Sequence, residues 1–367
     1  MLEPEMLARV IDLAICIQQI PAPTFSEAAR ATFIADHFRE EGLADISQDE
    51  TGNIYARLPG RSSASPIVLS AHLDTVFPDN TPLEVRRLAD KIMGAGIGDN
   101  AVGLAGLLGF VWLVKDRKTR LKNDVWLVAN VGEEGRGDLR GMRAVVDRFG
   151  SAPRAYIVLE GMALGQIYHR GLGVRRYQVA VKTPGGHSWV NFGQPSAVHE
   201  LVILANQLLA IPLPEQPRTT LNLGIIAGGI SVNTIAPEAA LELDLRSEGL
   251  QELKELSRQV EHLVAHMNRQ GVRAQLALIG DRPVGEIPPD HPLVLIASRA
   301  LKTVGIQPRY NIGSTDANVP LSYGYPAVCL GLTRGSGAHT LDEFIHTRPL
   351  AQGLRQLALV IEGLDAS

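Results

Sequence analysis

Five separated stretches of the sequence each place an imidazole or a carboxylate beside glycine or at the end of an apolar run. They are Ala71-His72-Leu73-Asp74, Gly98-Asp99-Asn100, Gly132-Glu133-Glu134-Gly135, Leu159-Glu160-Gly161 and Gly337-Ala338-His339-Thr340. Nitrogen and oxygen ligands of this kind, with no cysteine nearby, suit zinc, with cobalt or manganese as substitutes. Together the five stretches hold enough ligands for two ions. His72 and Asp74, two apart at a strand end, project from the same side of the strand. A metal-bound imidazole commonly needs an acidic partner on its other nitrogen, yet Asp74 equally fits as a cap for the following turn. Taken alone, His72 reads as a satisfied interior histidine, and Asp99 as an N-cap behind Gly94-Ala95-Gly96-Ile97-Gly98. Glu133 and Glu134 resist so plain a reading. Adjacent carboxylates at a buried strand end repel one another unless a cation or a proton lies between them, so one is expected to ligate and the other to titrate. Glu160 repeats the pattern at the next strand end, and His339 lies in Gly335-Ser336-Gly337-Ala338-His339, where small residues let backbone and substrate approach closely.

The elements that must carry these residues alternate. Residues 5–19 have apolar positions at helical spacing, Ile20-Pro21-Ala22-Pro23-Thr24 breaks that helix, and a second runs from Ser26 toward Glu41. Residues 54–58, 67–72, 125–130 and 156–160 read as short, largely apolar strands, and 101–115 and 139–149 as helices between them. That alternation predicts an α/β domain with a mixed sheet covered by helices, its functional side chains at the carboxyl ends of the strands. From Gly173 the order becomes strand 174–181, helix 196–210, strands 221–226 and 239–246, helix 250–270 and strand 272–278. This β-α-β-β-α-β order is the ferredoxin-like arrangement. Asp281-Arg282-Pro283 and Pro288-Pro289-Asp290 read as a linker back to the first domain, ahead of a helix at 291–304 and a strand at 326–331. The expected organisation is a catalytic metal-binding domain from 1–172 and 283–367, interrupted by a smaller domain at 173–282.

At 367 residues, 45% of them hydrophobic, the chain can bury two cores, and with only 5% aromatics these must rest on Val, Ile, Leu and Ala. A net charge of −4 and the lack of a basic stripe interleaved with aromatics argue against a nucleic-acid partner. Small molecules or peptides are expected instead. The acidic Met1-Leu2-Glu3-Pro4-Glu5-Met6 does not resemble an export signal, and no uninterrupted apolar run approaches the roughly 20 residues that span a bilayer. Cys16 and Cys329 are expected to be reduced, buried thiols, which with the absence of a signal points to a cytoplasmic protein without a membrane partner.

In combination the motifs resemble those of the M20 co-catalytic metallopeptidases, through Ser70-Ala71-His72-Leu73-Asp74-Thr75-Val76, Gly98-Asp99-Asn100, Gly132-Glu133-Glu134-Gly135, Gly185-Gly186-His187-Ser188 and Gly337-Ala338-His339-Thr340-Leu341-Asp342-Glu343. The resemblance covers nearly the whole chain and implies a zinc domain interrupted by a ferredoxin-like lid through which two copies dimerise. It implies that Asp99 bridges two ions, that His72 and Glu160 complete one site and Glu134 and His339 the other. Glu133 becomes the general base and Asp74 orients His72. His187 resembles a lid histidine that reaches the partner subunit's active site and steadies the oxyanion, although by itself it reads as a turn histidine. Asn233 and Arg246 resemble lid residues that hold the substrate's free carboxylate, with Ser336 and Gly337 adding loop contacts. A guanidinium fork suits that task, though Arg246 on an alternating strand equally reads as a solvated residue.

The implied reaction is amide hydrolysis in small peptides by a water held between two metals roughly 3.5–4 Å apart, with Glu133 moving the proton. An N-acyl-amino-acid deacylase would use the same machinery. A metal-holding scaffold without catalysis is a third reading, which the presence of Glu133 disfavours. A nucleotide-binding protein is disfavoured because the glycines at 94–98 end on Asp99, which would repel phosphate.

Overall fold

The structure, a computed structural model, describes residues 3–366, side chains at 63 and 64 excepted. The chain divides into two compact units, one made of residues up to Gly171 together with Gly285 onward, the other of Leu172–Val284.

The larger unit is built on a nine-stranded mixed sheet. Its strands run in the order Ala44–Gln48, Ile54–Leu58, Asn123–Asn130, Ser62–His72, Ala155–Glu160, Ala327–Gly331, Gln166–Gly171 and Gly285–Glu286, with Arg309–Gly313 also pairing with 166–171. The four central strands are mutually parallel, and the outer pairs 44–48/54–58 and 54–58/123–130 are antiparallel. Parallel strands are stable only when both faces are covered, and here they are. Helix Val102–Asp116 packs on the face that carries Leu159, so closely that a Cβ on Gly106 would lie 3.7 Å from Leu159 and 2.2 Å from Leu332. Helices Pro4–Gln18 and Leu350–Ala366 lie against it, and Pro292–Thr303 against 350–366. Helix Arg140–Phe149 takes the opposite face, where Phe149 packs against Trp126 and Tyr55.

Residues Ile97–Asp116 are long and apolar enough to cross a membrane, yet 89% of the 18-residue window that qualifies them is buried inside the protein. The regular part of that segment, Val102–Asp116, is the central core helix of the sheet domain. Its twelve buried side chains and glycines explain why it lacks an amphipathic pattern.

The smaller unit has a four-stranded antiparallel sheet in the order Thr219–Gly228, Glu238–Ser247, Gly173–Lys182, Arg273–Arg282, with helices Ala197–Leu209 and Leu250–His266 packed on it. Alternation along 238–247 follows the pleat, every second residue being buried. The order is that of a ferredoxin-like fold.

Two details differ from expectation. Asp281 and Arg282 belong to strand 273–282 rather than to a linker, because they pair with Arg175 and Val174 of the neighbouring strand. Cys16 is exposed rather than buried. Leu13, Ala14 and Ile17 form the buried stripe of its helix, and Cys16 falls one position outside it.

Candidate metal centre

The register of the parallel strands brings the first ligand-type residues together. His72 pairs with Asn130, and Ser70 with Val158, so that His72 and Glu160, two residues further on, end adjacent strands in line on the same face. After Asn130 the chain passes through Val131 and Gly132, whose φ of +65° turns it sharply to present Glu133 and Glu134. His339 comes from a different device. Gly335–Ser336 and Phe344–His346 pair as a short hairpin that continues into Lys91–Met93, and His339 stands in the hairpin's loop with φ of +65°.

Asp99 lies between the two imidazoles. Its Oδ1 is 3.1 Å from His72 Nε2 and its Oδ2 is 3.3 Å from His339 Nε2. His72 Nε2 is also 3.8 Å from Glu160 Oε2, and His339 Nε2 is 3.2 Å from Glu134 Oε1. Ligand atoms of His72, Asp99 and Glu134 all fall within 4.8 Å of one another. The arrangement is thus a chain, Glu160–His72–Asp99–His339–Glu134, with a carboxylate at its middle whose two oxygens face different imidazoles. His339, with 54% of its side chain exposed, closes the cluster from the solvent side, whereas His72 is at 1%.

The electrostatics fit a cation. Burial, the strongest influence on His72, disfavours its charge, but Asp74, Asp99 and Glu160 together raise its pKa well above the ordinary value. Contacts with Asp99 and Glu134 raise His339 to about 10. Burial lifts Glu160 to about 7 against the pull of His72, while the two histidines hold Asp99 below its usual range despite burial. The carboxylates are therefore arranged to stabilise positive charge at the imidazoles. His72 Nε2 is fully buried yet makes no hydrogen bond among the described residues, although carboxylate oxygens lie near it. An orphaned buried nitrogen aimed at carboxylates, in a set of two imidazoles and three carboxylates, fits divalent-cation ligation.

Three supporting residues fix this geometry. The Asp74 carboxylate accepts the N–H groups of Glu133 and Glu134 and the Thr24 hydroxyl. The Nδ1 of His72 lies 3.0 Å from the Asp74 backbone carbonyl and 3.5 Å from its carboxylate, so the main chain is the nearer partner of that ring nitrogen. Glu343 and Arg30 were not singled out as functional from sequence. Glu343 accepts three backbone N–H groups, from Gly96, Gly98 and Asp99, and so ties the Asp99 loop to the His339 hairpin. Arg30 is almost fully buried and donates to the carbonyls of Ile20 and Leu73. Burial lowers its pKa to about 10, with Asp74 opposing. The spacing of Glu343 four residues after His339 was a visible signal; nothing in the sequence distinguishes Arg30 from a surface arginine. The Asp99–Asn100 peptide is cis, and Asn100 is held by the Leu159 carbonyl.

The remaining expected residues fall in two places. Glu133 is buried beside Glu134, and Ser336 and Gly337 stand in the His339 hairpin. His187 and Asn233 are brought together in the smaller unit, where Gly186–His187 pairs with Thr234–Ile235 and the Ser188 N–H donates to the Asn233 carbonyl. The N–H groups of Trp189 and Val190 donate to His187 Nδ1. A neutral His187 so held carries its proton on Nε2. Arg246 is on strand 238–247, and its fork is engaged by Asp244 at 2.7 and 3.4 Å.

Comparison with known proteins adds the following. The sequence profile described as peptidase family M20/M25/M40 matches residues 68–363. The chain is 28% identical over 349 residues to a protein named succinyl-diaminopimelate desuccinylase from Corynebacterium glutamicum, covering 92% of each chain. Among solved structures it resembles aminopeptidase PepT of Bacillus cereus, with a TM-score of 0.79, 21% identity and 98% of each chain covered. It also resembles the Bacillus subtilis YXEP protein, described as a dinuclear metal-binding peptidase, with a TM-score of 0.69, 17% identity and 98% of each chain covered.

Proposed function

Because the chain belongs to the peptidase family M20/M25/M40 and is therefore a hydrolase, we propose that it hydrolyses an amide bond in small peptides at a centre of two divalent ions. The observation that carries this reading is Asp99, whose two carboxylate oxygens face two different imidazoles, His72 at 3.1 Å and His339 at 3.3 Å. Asp99 would bridge the ions, with His72 and Glu160 at one and Glu134 and His339 at the other. Zinc suits these ligands, and cobalt or manganese can replace it. When bound, the ions supply positive charge that acidifies a water and polarises a carbonyl.

The chain's own residues do the rest. Glu133 takes the proton of the attacking water and passes it to the departing amine, as a general base and then acid. Asp74 holds the turn that aims Glu133, through the N–H groups of Glu133 and Glu134. His187 donates from Nε2 to the oxyanion, the role its tautomer allows. Recognition of the substrate's free carboxylate is assigned to Asn233 and Arg246 in the smaller unit and to Ser336 and Gly337 in the larger, with Arg246 exchanging its contact with Asp244.

A second reading, N-acyl-amino-acid deacylation, is favoured by the desuccinylase name of the Corynebacterium relative. A panel of di- and tripeptides and N-acyl amino acids, run on metal-reconstituted protein and followed by amine release, decides between them. Turnover of neither class would sink the proposal.

The same reading makes the protein a cytoplasmic homodimer that joins through the smaller unit. Cys16 and Cys329 are unbridged, as a reducing compartment keeps them. Trp189 and Phe192 are 85% and 90% exposed, and Ile225 and Ile226 stand exposed on the edge strand 219–228. Exposed apolar side chains beside an open sheet edge suit a second copy. Light scattering after size exclusion reads the oligomeric state.

A further inference from the structure

Two cavities of the larger unit share a wall. One, of about 570 Å³, has Asp99 and Glu160 in its lining. The other, of about 540 Å³, has Arg309 and Arg334 in its lining together with Gln307. Met162, Ala163 and Gln166 line both. Met162 is the divider: a Cβ on Gly98 would lie 2.5 Å from its side chain, and one on Gly335 would lie 2.7 Å from it. The thioether is therefore wedged between the loop of Asp99 and the hairpin of His339. An unbranched thioether adapts its shape readily, so this wall can yield to a ligand that occupies both chambers.

The charges of the two chambers are segregated. The charged residues lining the first are Asp99 and Glu160, and those lining the second are Arg309 and Arg334. Both arginines are anchored to one short segment from either side. Arg309 pairs with Gln166 and donates its N–H to the Gly165 carbonyl at 2.9 Å. Arg334 is bridged to Ala163, and its carbonyl accepts the His346 N–H at 2.8 Å. Their backbones are thus fixed on anchor points three residues apart. Both arginines are exposed, and among the described residues neither guanidinium is taken up by a hydrogen-bond or ion-pair partner. Two arginines lining one cavity, with no carboxylate among its lining residues, match a carboxylate, which a guanidinium can bind with two parallel N–H groups.

We infer that the Arg309–Arg334 cavity is a subsite for a carboxylate carried by the substrate beyond its scissile amide. That carboxylate belongs either to an acidic side chain or to the far end of a dicarboxylic acyl group. The inference rests on the hydrolase reading for the position of the amide beside Asp99 and Glu160. It concerns a different group from the free carboxylate assigned above to Asn233 and Arg246.

The test has a binding arm and a kinetic arm. Calorimetric titration of the metal-reconstituted full chain with glutarate is expected to show binding that weakens roughly 10–100-fold in the Arg309→Gln/Arg334→Gln double variant, the loss expected for charge-assisted hydrogen bonds. Equal binding by the double variant, as for a carboxylate caught at the metals, overturns the subsite. So does a chain that binds inorganic phosphate but not glutarate. In the kinetic arm, peptides with a glutamate side chain are compared with their glutamine counterparts, and N-succinyl amino acids with their N-succinamyl counterparts. The acid of one pair is expected to be preferred through KM, with the preference falling to near one in the double variant. The pair that responds identifies the source of the carboxylate. Acid and amide turned over equally in both pairs overturns the subsite. Arginine-dependent glutarate binding without turnover of any substrate supports the subsite and removes the hydrolase reading instead.

Discussion

The carboxylate of Asp74 accepts the backbone N–H of Glu133 on one oxygen and that of Glu134 on the other, each at 2.9 Å. A single buried side chain therefore sets the turn that presents both glutamates, while its own main-chain carbonyl faces the Nδ1 of His72. Asp74→Ala leaves two buried N–H groups without an acceptor, each costing about 1–3 kcal/mol. Urea denaturation is expected to show a stability loss of that order. Metal titration should show affinity weakened about 10–100-fold, as when a group that orients metal ligands is removed. A variant with wild-type midpoint and metal affinity would show that the turn holds its shape unaided.

Removal of metal is expected to abolish hydrolysis and to lower the melting temperature together. The carboxylates around His72 and His339 are collected to face positive charge, and a ligand that binds only the folded chain stabilises it in proportion to the logarithm of its concentration over its Kd. Dialysis against a chelator, followed by calorimetry with and without added zinc, reads both effects. Cobalt and manganese are expected to restore part of the activity. Unaltered melting after complete stripping would mean that the cluster holds no structural cation.

The centre was legible in the sequence to the extent that each residue follows an apolar strand or sits in a glycine loop, since parallel strands carry their side chains to one edge. His72 and Glu160 show this most directly: each ends a buried strand, and register alone aligns them. What was not legible depends on partners distant in sequence. Arg30 lies in a helix between Ala28-Ala29 and Ala31, with no motif around it, and only the fold reveals that it serves the carbonyls of Ile20 and Leu73. Strand 309–313 was missed for a related reason, being mostly exposed and too polar to give a strand pattern, so that only its parallel pairing with 166–171 defines it. Cys16 shows the limit of helical periodicity, which fixes a buried stripe only to within one position.

Glu343 is the acceptor on which the Asp99 loop is built, through N–H groups of Gly96, Gly98 and Asp99 at 2.6–3.0 Å. Glu343→Ala would release all three donors in a site where the glutamate is fully buried. The expected loss is about 3 kcal/mol or more on the scale of one to three per unpaired group. Metal stoichiometry is expected to fall with it, because Asp99 is the residue between the two imidazoles. Glu343→Gln keeps one acceptor oxygen and should fall between wild type and alanine in denaturant midpoint. An alanine variant as stable as wild type would mean that the loop finds other acceptors.

Glu133 and His187 are separable by what each substitution spares. Glu133→Gln removes the base but leaves the five ligand-type side chains and the Asp74 contact to its backbone N–H. Turnover is expected to fall by at least the 10²–10⁴-fold range of general acid–base catalysis, with both metals still bound. His187 lies in the smaller unit, outside the ligand cluster, so His187→Ala is expected to lower kcat about 10²–10³-fold without altering metal content. Steady-state kinetics alongside elemental analysis reads both. The shared expectation of intact metal distinguishes these roles from ligation: loss of one metal in Glu133→Gln would move Glu133 from proton carrier to ligand. A His187→Ala enzyme with wild-type kcat would remove that histidine from the chemistry and leave oxyanion stabilisation to the centre alone.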